Sequence, residues 1–201
     1  MNQIKEIAGI ASFSIGLTAA VPYVISIIRG HRPPYTTYVS WLLIGVTALV
    51  FHYQTIDPLD EKWSTFVILA FAMIPAIYIT LLVALGSKWV LDSRDRLVLM
   101  AVLFCWIGWV AVSLFLDNQR ALPVVLLILT EGFATWPILQ NALRGEESAL
   151  PNQISWNMTA LSAWLSLASI ANYNSAELLY PLYITAAMST LAWASIFCRK
   201  F

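Results

Sequence analysis

Two stretches of the chain resemble one another: PYVISIIRGHRPPYTTYVSW at residues 22–41 and PILQNALRGEESALPNQISW at residues 137–156. Each begins with a proline, reaches Arg-Gly seven residues later and ends with Ser-Trp nineteen residues after the proline. All of these identities share one offset of 115 residues, without a gap. The pattern indicates an internal duplication.

Composition assigns the chain to the membrane. Hydrophobic residues make up 60% of it and charged residues 11%, whereas a soluble domain carries about 25% charged residues. We therefore expect most of the surface to contact the lipid bilayer. The formal net charge is zero, so the sequence does not predict a basic surface that would bind nucleic acid. Both cysteines, Cys105 and Cys198, fall in apolar segments, so no disulfide framework is predicted.

Seven apolar segments are long enough to cross a bilayer core of about 30 Å as helices. They cover residues 7–28, 37–56, 63–86, 96–116, 121–143, 153–172 and 176–197. With the N-terminus outside, the loops and ends on the inner side carry eight Lys and Arg residues and those on the outer side three. This asymmetry predicts a cytoplasmic C-terminus. We expect a multi-pass protein of a bacterial inner or plasma membrane.

Seven spans also account for the duplication. A unit of three helices ends on the opposite side of the membrane, so a second copy in the same orientation needs one extra crossing. The third helices agree as well, because AIYIT at 76–80 resembles PLYIT at 181–185. The predicted fold is all-α, with two parallel three-helix bundles joined by a linker helix. The units are residues 1–86, 87–120 and 121–201.

This layout resembles the PQ-loop and SWEET superfamily of transporters. The resemblance is carried by Pro22 and Pro137 near the inner ends of the first helices, by Arg29 and Arg144 seven positions on, and by the 3+1+3 order. It implies a transporter that moves a small polar solute, such as a sugar, by alternating access. In that picture the prolines are hinges; the alternative is a static kink. The arginines either set the topology or latch an inner gate.

Glu131 is the one carboxylate near the middle of a predicted span. A bare charge there costs about 2.5–3.5 kcal/mol or more, and intramembrane acids are usually functional. Glu131 could couple transport to protons or bind the solute, so transport is either facilitated or proton-coupled. The structural alternative is a protonated carboxyl bonded to a neighbouring helix. Gly16 stands at the equivalent position of the first copy.

Polar stripes occur on both second helices of the duplication. Phe51 lies on one stripe with Ser40, Thr47 and Gln54, and such stripes either line a path or hold helices together. The matching stripe of helix 6 consists of Ser155, Thr159, Ser162, Ser166 and Ser169. His52, next to Phe51, could relay protons with Glu131 or meet lipid headgroups at the outer interface.

Two further pairs are candidates for solute contacts. Asn157 and Trp164 share another face of helix 6, where an amide beside an indole suits a sugar or another polar ring. Tyr78 and Tyr183 occupy equivalent positions in the third helices, close to prolines, and could form an internal gate. Ordinary helix packing is the alternative for both pairs.

Other classes of protein fit the sequence less well. No zinc-type Cys/His spacing, glycine-rich phosphate loop or paired carboxylates occur, so neither an enzyme nor a cofactor or metal site is predicted. The main alternative is a receptor or cargo-binding protein of the PQ-loop type that does not transport. Such a receptor would need a basic pocket for a peptide carboxylate, and no Lys or Arg lies inside a predicted span. The expected ligand is therefore a neutral or cationic small molecule. Homo-oligomers are compatible with the sequence but not predicted by it.

Overall fold

The computed structural model describes residues 2–55, 62–87, 93–115, 121–169 and 175–198. The regular secondary structure in these ranges consists of seven α-helices. The ends of each helix lie within three residues of the predicted segment, except at the start of the first helix. The helices are α1 (Asn2–Ile28), α2 (Tyr35–Thr55), α3 (Lys62–Ala84), α4 (Ser93–Phe115), α5 (Ala121–Leu143), α6 (Leu150–Ser169) and α7 (Ser175–Phe197). The all-α prediction is confirmed.

Three of these helices have the length and apolar composition needed to cross a membrane. The qualifying segments are Ile7–Ile28 of α1, Asp95–Val112 of α4 and Val124–Leu143 of α5, and a shorter apolar segment covers Met73–Ala84 of α3. Large apolar side chains are exposed on these helices; Phe104, for example, is 80% exposed. Exposed apolar surface of this kind is what lipid covers. The chain is therefore a helical membrane protein.

The repeated Arg-Gly is a helix-ending motif. Gly30 and Gly145 have φ angles of 104° and 74°, the left-handed region that glycine enters without steric cost. After each glycine the chain turns back, so that His31 N donates to Ser26 O at 3.0 Å and Glu146 N donates to Asn141 O at 2.9 Å. This is the Schellman cap of α1 and of α5. Both copies therefore end their first helix in the same way.

The helices pack in a definite order. In the described part of the chain, α3 packs between α1 and α2, and α7 packs between α5 and α6. Two further contacts join these groups, α1 against α6 and α2 against α5, and α4 packs along α5 and touches α2. Buried aromatic and aliphatic side chains from all seven helices form one continuous core, to which α4 contributes Val98 and Val102.

Candidate functional site

Two glutamates, Glu131 in α5 and Glu147 in the loop between α5 and α6, are 0% exposed. Their surroundings differ completely. Both carboxylate oxygens of Glu131 lack a hydrogen-bond partner among the described residues, whereas each oxygen of Glu147 contacts two polar groups. A buried charge without partners is expensive to keep, and a fully bonded one is a structural element. The two sites are therefore expected to have different roles.

Glu131 lies where α5 meets α2 and α7. The Trp41 indole and the Thr135 hydroxyl lie beside its carboxyl, but neither carboxylate oxygen meets them in hydrogen-bonding geometry. Trp41 Nε1 donates to Thr135 Oγ1 at 3.3 Å. Tyr180 and Tyr183 of α7 lie near the same carboxyl. The buried acid thus has aromatic rings and hydroxyl groups around it, which can hold a proton, a cation or a hydroxylated solute once the side chains move apart.

A cleft of about 310 Å³ lies between α5 and α7, and two residues near the Glu131 carboxyl, Thr135 and Tyr183, line it. Its lining is Gly132, Thr135, Trp136, Leu139, Tyr183, Ala186, Ala187 and Thr190. Gly132 keeps the two helices close, because a Cβ atom there would lie 3.3 Å from the Tyr183 hydroxyl oxygen. Tyr183 therefore lines the cleft, with its hydroxyl beside Gly132, the residue that follows Glu131.

Glu147 is held by four groups. Its Oε1 lies 3.3 Å from the Tyr23 hydroxyl and 3.0 Å from His31 Nε2, both from the first copy of the repeat. Its Oε2 accepts from Asn152 Nδ2 at 3.0 Å and from Trp156 Nε1 at 3.1 Å, both in the second copy. Since an ionised carboxylate only accepts, all four groups act as donors to it. Glu147 thus ties the two lookalike stretches together.

A cluster of aromatic rings surrounds this network. The Tyr23 ring lies 5.1 Å from that of Tyr78, 5.4 Å from that of Trp156 and 6.2 Å from that of Tyr38, measured between centroids. Tyr38 in turn lies 5.0 Å from Tyr78. These separations fall in the range of favourable aromatic pairs. At the level of this cluster, packed aromatic rings fill the space between the ends of α1, α2, α3 and α6.

The predicted tyrosine pair is divided between the two sites. Tyr78 is buried in the aromatic cluster with Tyr23 and Tyr38, whereas Tyr183 lies at Gly132, near Glu131. An internal gate made of both tyrosines stays a prediction.

The predicted amide and indole of α6 are exposed. Asn157 Nδ2 donates to Gln153 O, one turn back in the same helix, at 2.7 Å. Trp164 is 57% exposed, and its Nε1 donates to Ser189 Oγ of α7 at 3.2 Å. The first hydrogen bond lies within α6, and the second joins α6 to α7. A solute pocket at this pair stays a prediction.

The remaining predicted residues fall into three groups. Pro22 and Pro137 lie inside α1 and α5, as expected. The side chains of Arg29 and Arg144 are exposed directly after the last residues of these helices, where a cation interacts favourably with the helix dipole. Phe51 and His52 lie in α2, but their side chains fall outside the described residues.

Sequence reasoning missed Glu147 and His31, because both lie in loops rather than in a span. A usable signal existed: the two stretches are equivalent, yet Arg32 in the first stands where Glu147 stands in the second. Opposite charges at equivalent positions suggest a contact between copies, although His31 rather than Arg32 makes it. Arg32 instead donates to the backbone oxygens of Ile27 and His31, each at 3.0 Å.

Within the described residues, no three His, Cys, Asp or Glu side chains come together as a metal ion would require. Comparison with known proteins adds no relative: no family model, curated protein or solved structure matches the chain.

Proposed function

We propose that this protein is a SWEET- or PQ-loop-like membrane transporter, which moves a small polar solute by alternating access and uses Glu131 to bind the solute or a proton. The observation that carries the proposal is the carboxyl of Glu131, which is 0% exposed and has no hydrogen-bond partner among the described residues. Such a group costs several kcal/mol, roughly, in a low-dielectric interior. A buried glutamate with a structural role would have hydrogen-bond partners within the protein, whereas a glutamate that binds a solute or proton obtains them from its ligand.

The helix packing supports two units of three helices with α4 as a linker. In chain order the units would be α1–α3 and α5–α7, and in each the third helix packs between the first two. The two units contact each other through α1 with α6 and through α2 with α5. If the units are exchanged, α1 takes the place of α5 and α2 takes the place of α6, so that each of these contacts becomes the other. A two-fold axis along the membrane normal, as in parallel-repeat transporters, has this property. Alternating access then requires the two units to move relative to one another.

Charges favour a neutral or cationic solute. None of the described Lys and Arg side chains is buried, so the interior offers no cation for a carboxylate or phosphate. Around Glu131 it offers aromatic faces and the hydroxyls of Thr135 and Tyr183. Hydroxyls and a carboxyl can bind the hydroxyl or amino groups of a solute, and indole and phenol rings stack on its apolar face.

Uptake into proteoliposomes tests the proposal. A panel of sugars, amino acids and vitamins would be offered with and without an inward proton gradient, to wild type, to Glu131→Gln and to Glu146→Gln. Glu146 is the matched control, because it is an exposed glutamate in the α5–α6 loop. We expect uptake that the first substitution abolishes or uncouples from the gradient and that the second leaves unchanged.

The other outcomes are equally informative. Uptake that ignores the gradient but requires Glu131 would make the protein a facilitator that binds its solute there. Uptake that is the same in both variants would refute the role of Glu131. If no solute is taken up but one binds to purified protein, the receptor alternative replaces the transporter.

A further inference from the structure

The seam between α1 and α6 is closed by hydrogen bonds between side chains and backbone. Ser12 Oγ donates to Ser162 O at 2.8 Å, and Ser162 Oγ donates back to Ser12 O at 2.7 Å. Further along, Ser155 Oγ donates to Ala19 O at 2.6 Å. Serines that bond across a contact between membrane helices hold the two backbones close. Part of the polar stripe predicted on helix 6 therefore serves packing.

Gly16 shows how close this approach is. A Cβ atom there would lie 2.9 Å from Ser162 Oγ, so a larger residue would require the Ser162 side chain or the helices to shift. At the other end of the same seam, Tyr23 and His31 contact the carboxylate of Glu147. The contacts thus follow α1 from Ser12 to its C-terminal loop. Helix α1 and helix α6, with the loop that precedes α6, form one tightly joined unit.

Among the described side chains, the equivalent seam between α2 and α5 lacks these features. Ser40 corresponds to Ser155, yet its hydroxyl is buried without a hydrogen-bond partner among the described residues. Glu131 corresponds to Gly16, so a long unpartnered side chain occupies the position where the other seam requires a glycine. One hydrogen bond across this seam runs from Trp41 to Thr135.

Helix α4 supplies a physical reason for the difference. It has no counterpart in the other copy, and it packs along α5 and touches α2. Its Trp106 Nε1 donates to Thr47 Oγ1 at 3.0 Å. Thr47 corresponds to Ser162, the residue that bonds directly to α1 in the other seam. At this level α2 therefore bonds to the linker helix instead of to α5.

We propose that the solute path opens along the α2–α5 seam, past Ser40, Trp41 and Glu131, while α1 and α6 stay joined and act as the axis about which the two halves turn. The proposal rests on the transporter function proposed above. It assigns the two equivalent seams different tasks: the one with satisfied polar groups is the fixed side, and the one with unsatisfied polar groups is where a solute or water would complete the hydrogen bonds.

Distances between spin labels across the two seams test this directly. The first pair is Val46→Cys in α2 with Leu129→Cys in α5, and the second is Leu161→Cys in α6 with Ser14→Cys in α1. The pairs are matched, because an offset of 115 relates Val46 to Leu161 and Ser14 to Leu129. All four side chains are exposed, so labels there should not disturb packing.

Pulsed electron paramagnetic resonance would be recorded on both pairs in lipid nanodiscs at neutral and acidic pH. Each pair would be built into full-length protein whose native cysteines, Cys105 and Cys198, are replaced by alanine. We expect the α1–α6 pair to give one narrow distance distribution that pH does not move. The α2–α5 pair should give a broad or two-peaked distribution whose weights change with pH.

Narrow distributions for both pairs, or a broad one for α1–α6, would overturn the proposal. The readout does not depend on transport. If uptake is never detected but the distances behave as expected, the transporter function fails and the difference between the seams stands. If uptake is detected and both seams widen equally, the function stands and the inference fails.

Discussion

Replacing each of the two buried glutamates by leucine should change the stability of the protein differently. In Glu147→Leu, Asn152 Nδ2 and Trp156 Nε1 lose their shared acceptor, and neither nitrogen can accept a hydrogen bond instead. Each buried donor without a partner costs about 1–3 kcal/mol, and breaking a buried charged network from one side costs about 3–5 kcal/mol. We therefore expect a loss of about 3–5 kcal/mol in the free energy of unfolding.

Glu131→Leu is the matched control, because both residues are 0% exposed and both lose a carboxylate. No hydrogen bond among the described residues is broken at Glu131, and a costly buried polar group is removed. Its stability should equal or exceed that of wild type.

Thermal unfolding in one detergent, followed by intrinsic tryptophan fluorescence, measures both variants. At about 2–4 °C per kcal/mol for a chain of this size, the Glu147→Leu midpoint should fall by on the order of 10 °C. Equal losses in the two variants would refute the reasoning, because they would show that the hydrogen bonds of Glu147 do not distinguish it from Glu131. A larger loss in Glu131→Leu would show that its carboxyl has partners which stabilise the fold.

Three further predictions concern the hinges, the cap and the closed seam. Replacing Pro22 and Pro137 together by alanine should lower solute uptake about tenfold, which corresponds to about 1.4 kcal/mol on the barrier. A protease-protection assay should show that membrane insertion is unchanged. Normal uptake would identify the kinks as static. Gly145→Ala should lower the free energy of unfolding by about 1–2 kcal/mol, because residue 145 has a positive φ, and Gly145→Asn should lower it less. Both losses would be measured as lower midpoints of thermal unfolding. Midpoints equal to that of wild type would contradict the cap. A disulfide between Ser12→Cys and Ser162→Cys, verified by mass spectrometry, should leave the uptake rate within about twofold of wild type, which corresponds to less than about 0.5 kcal/mol on the barrier. If uptake is lost and returns only when the disulfide is reduced, this seam must open during transport.

The sequence predicts the helices because each depends on local properties. A segment of about 20 apolar residues satisfies its own backbone hydrogen bonds as a helix, wherever its neighbours lie. The same holds for the ends of α1 and α5, where Arg-Gly supplies the first residue after the helix and the left-handed glycine that follows it. The burial of Glu131 also follows locally, from its place inside a long apolar segment.

The sites required the tertiary structure. Glu147 and His31 are 116 residues apart and lie in loops, and their contact depends on how α1 packs against α6. The duplication predicts two equivalent seams, whereas the hydrogen bonds across them and the packing of α4 show that they differ. Local properties determined the seven helices, their caps and the buried acid. The tertiary structure decided which carboxylate is bonded and which seam is closed, because hydrogen bonds between distant side chains form only after the helices have found their neighbours.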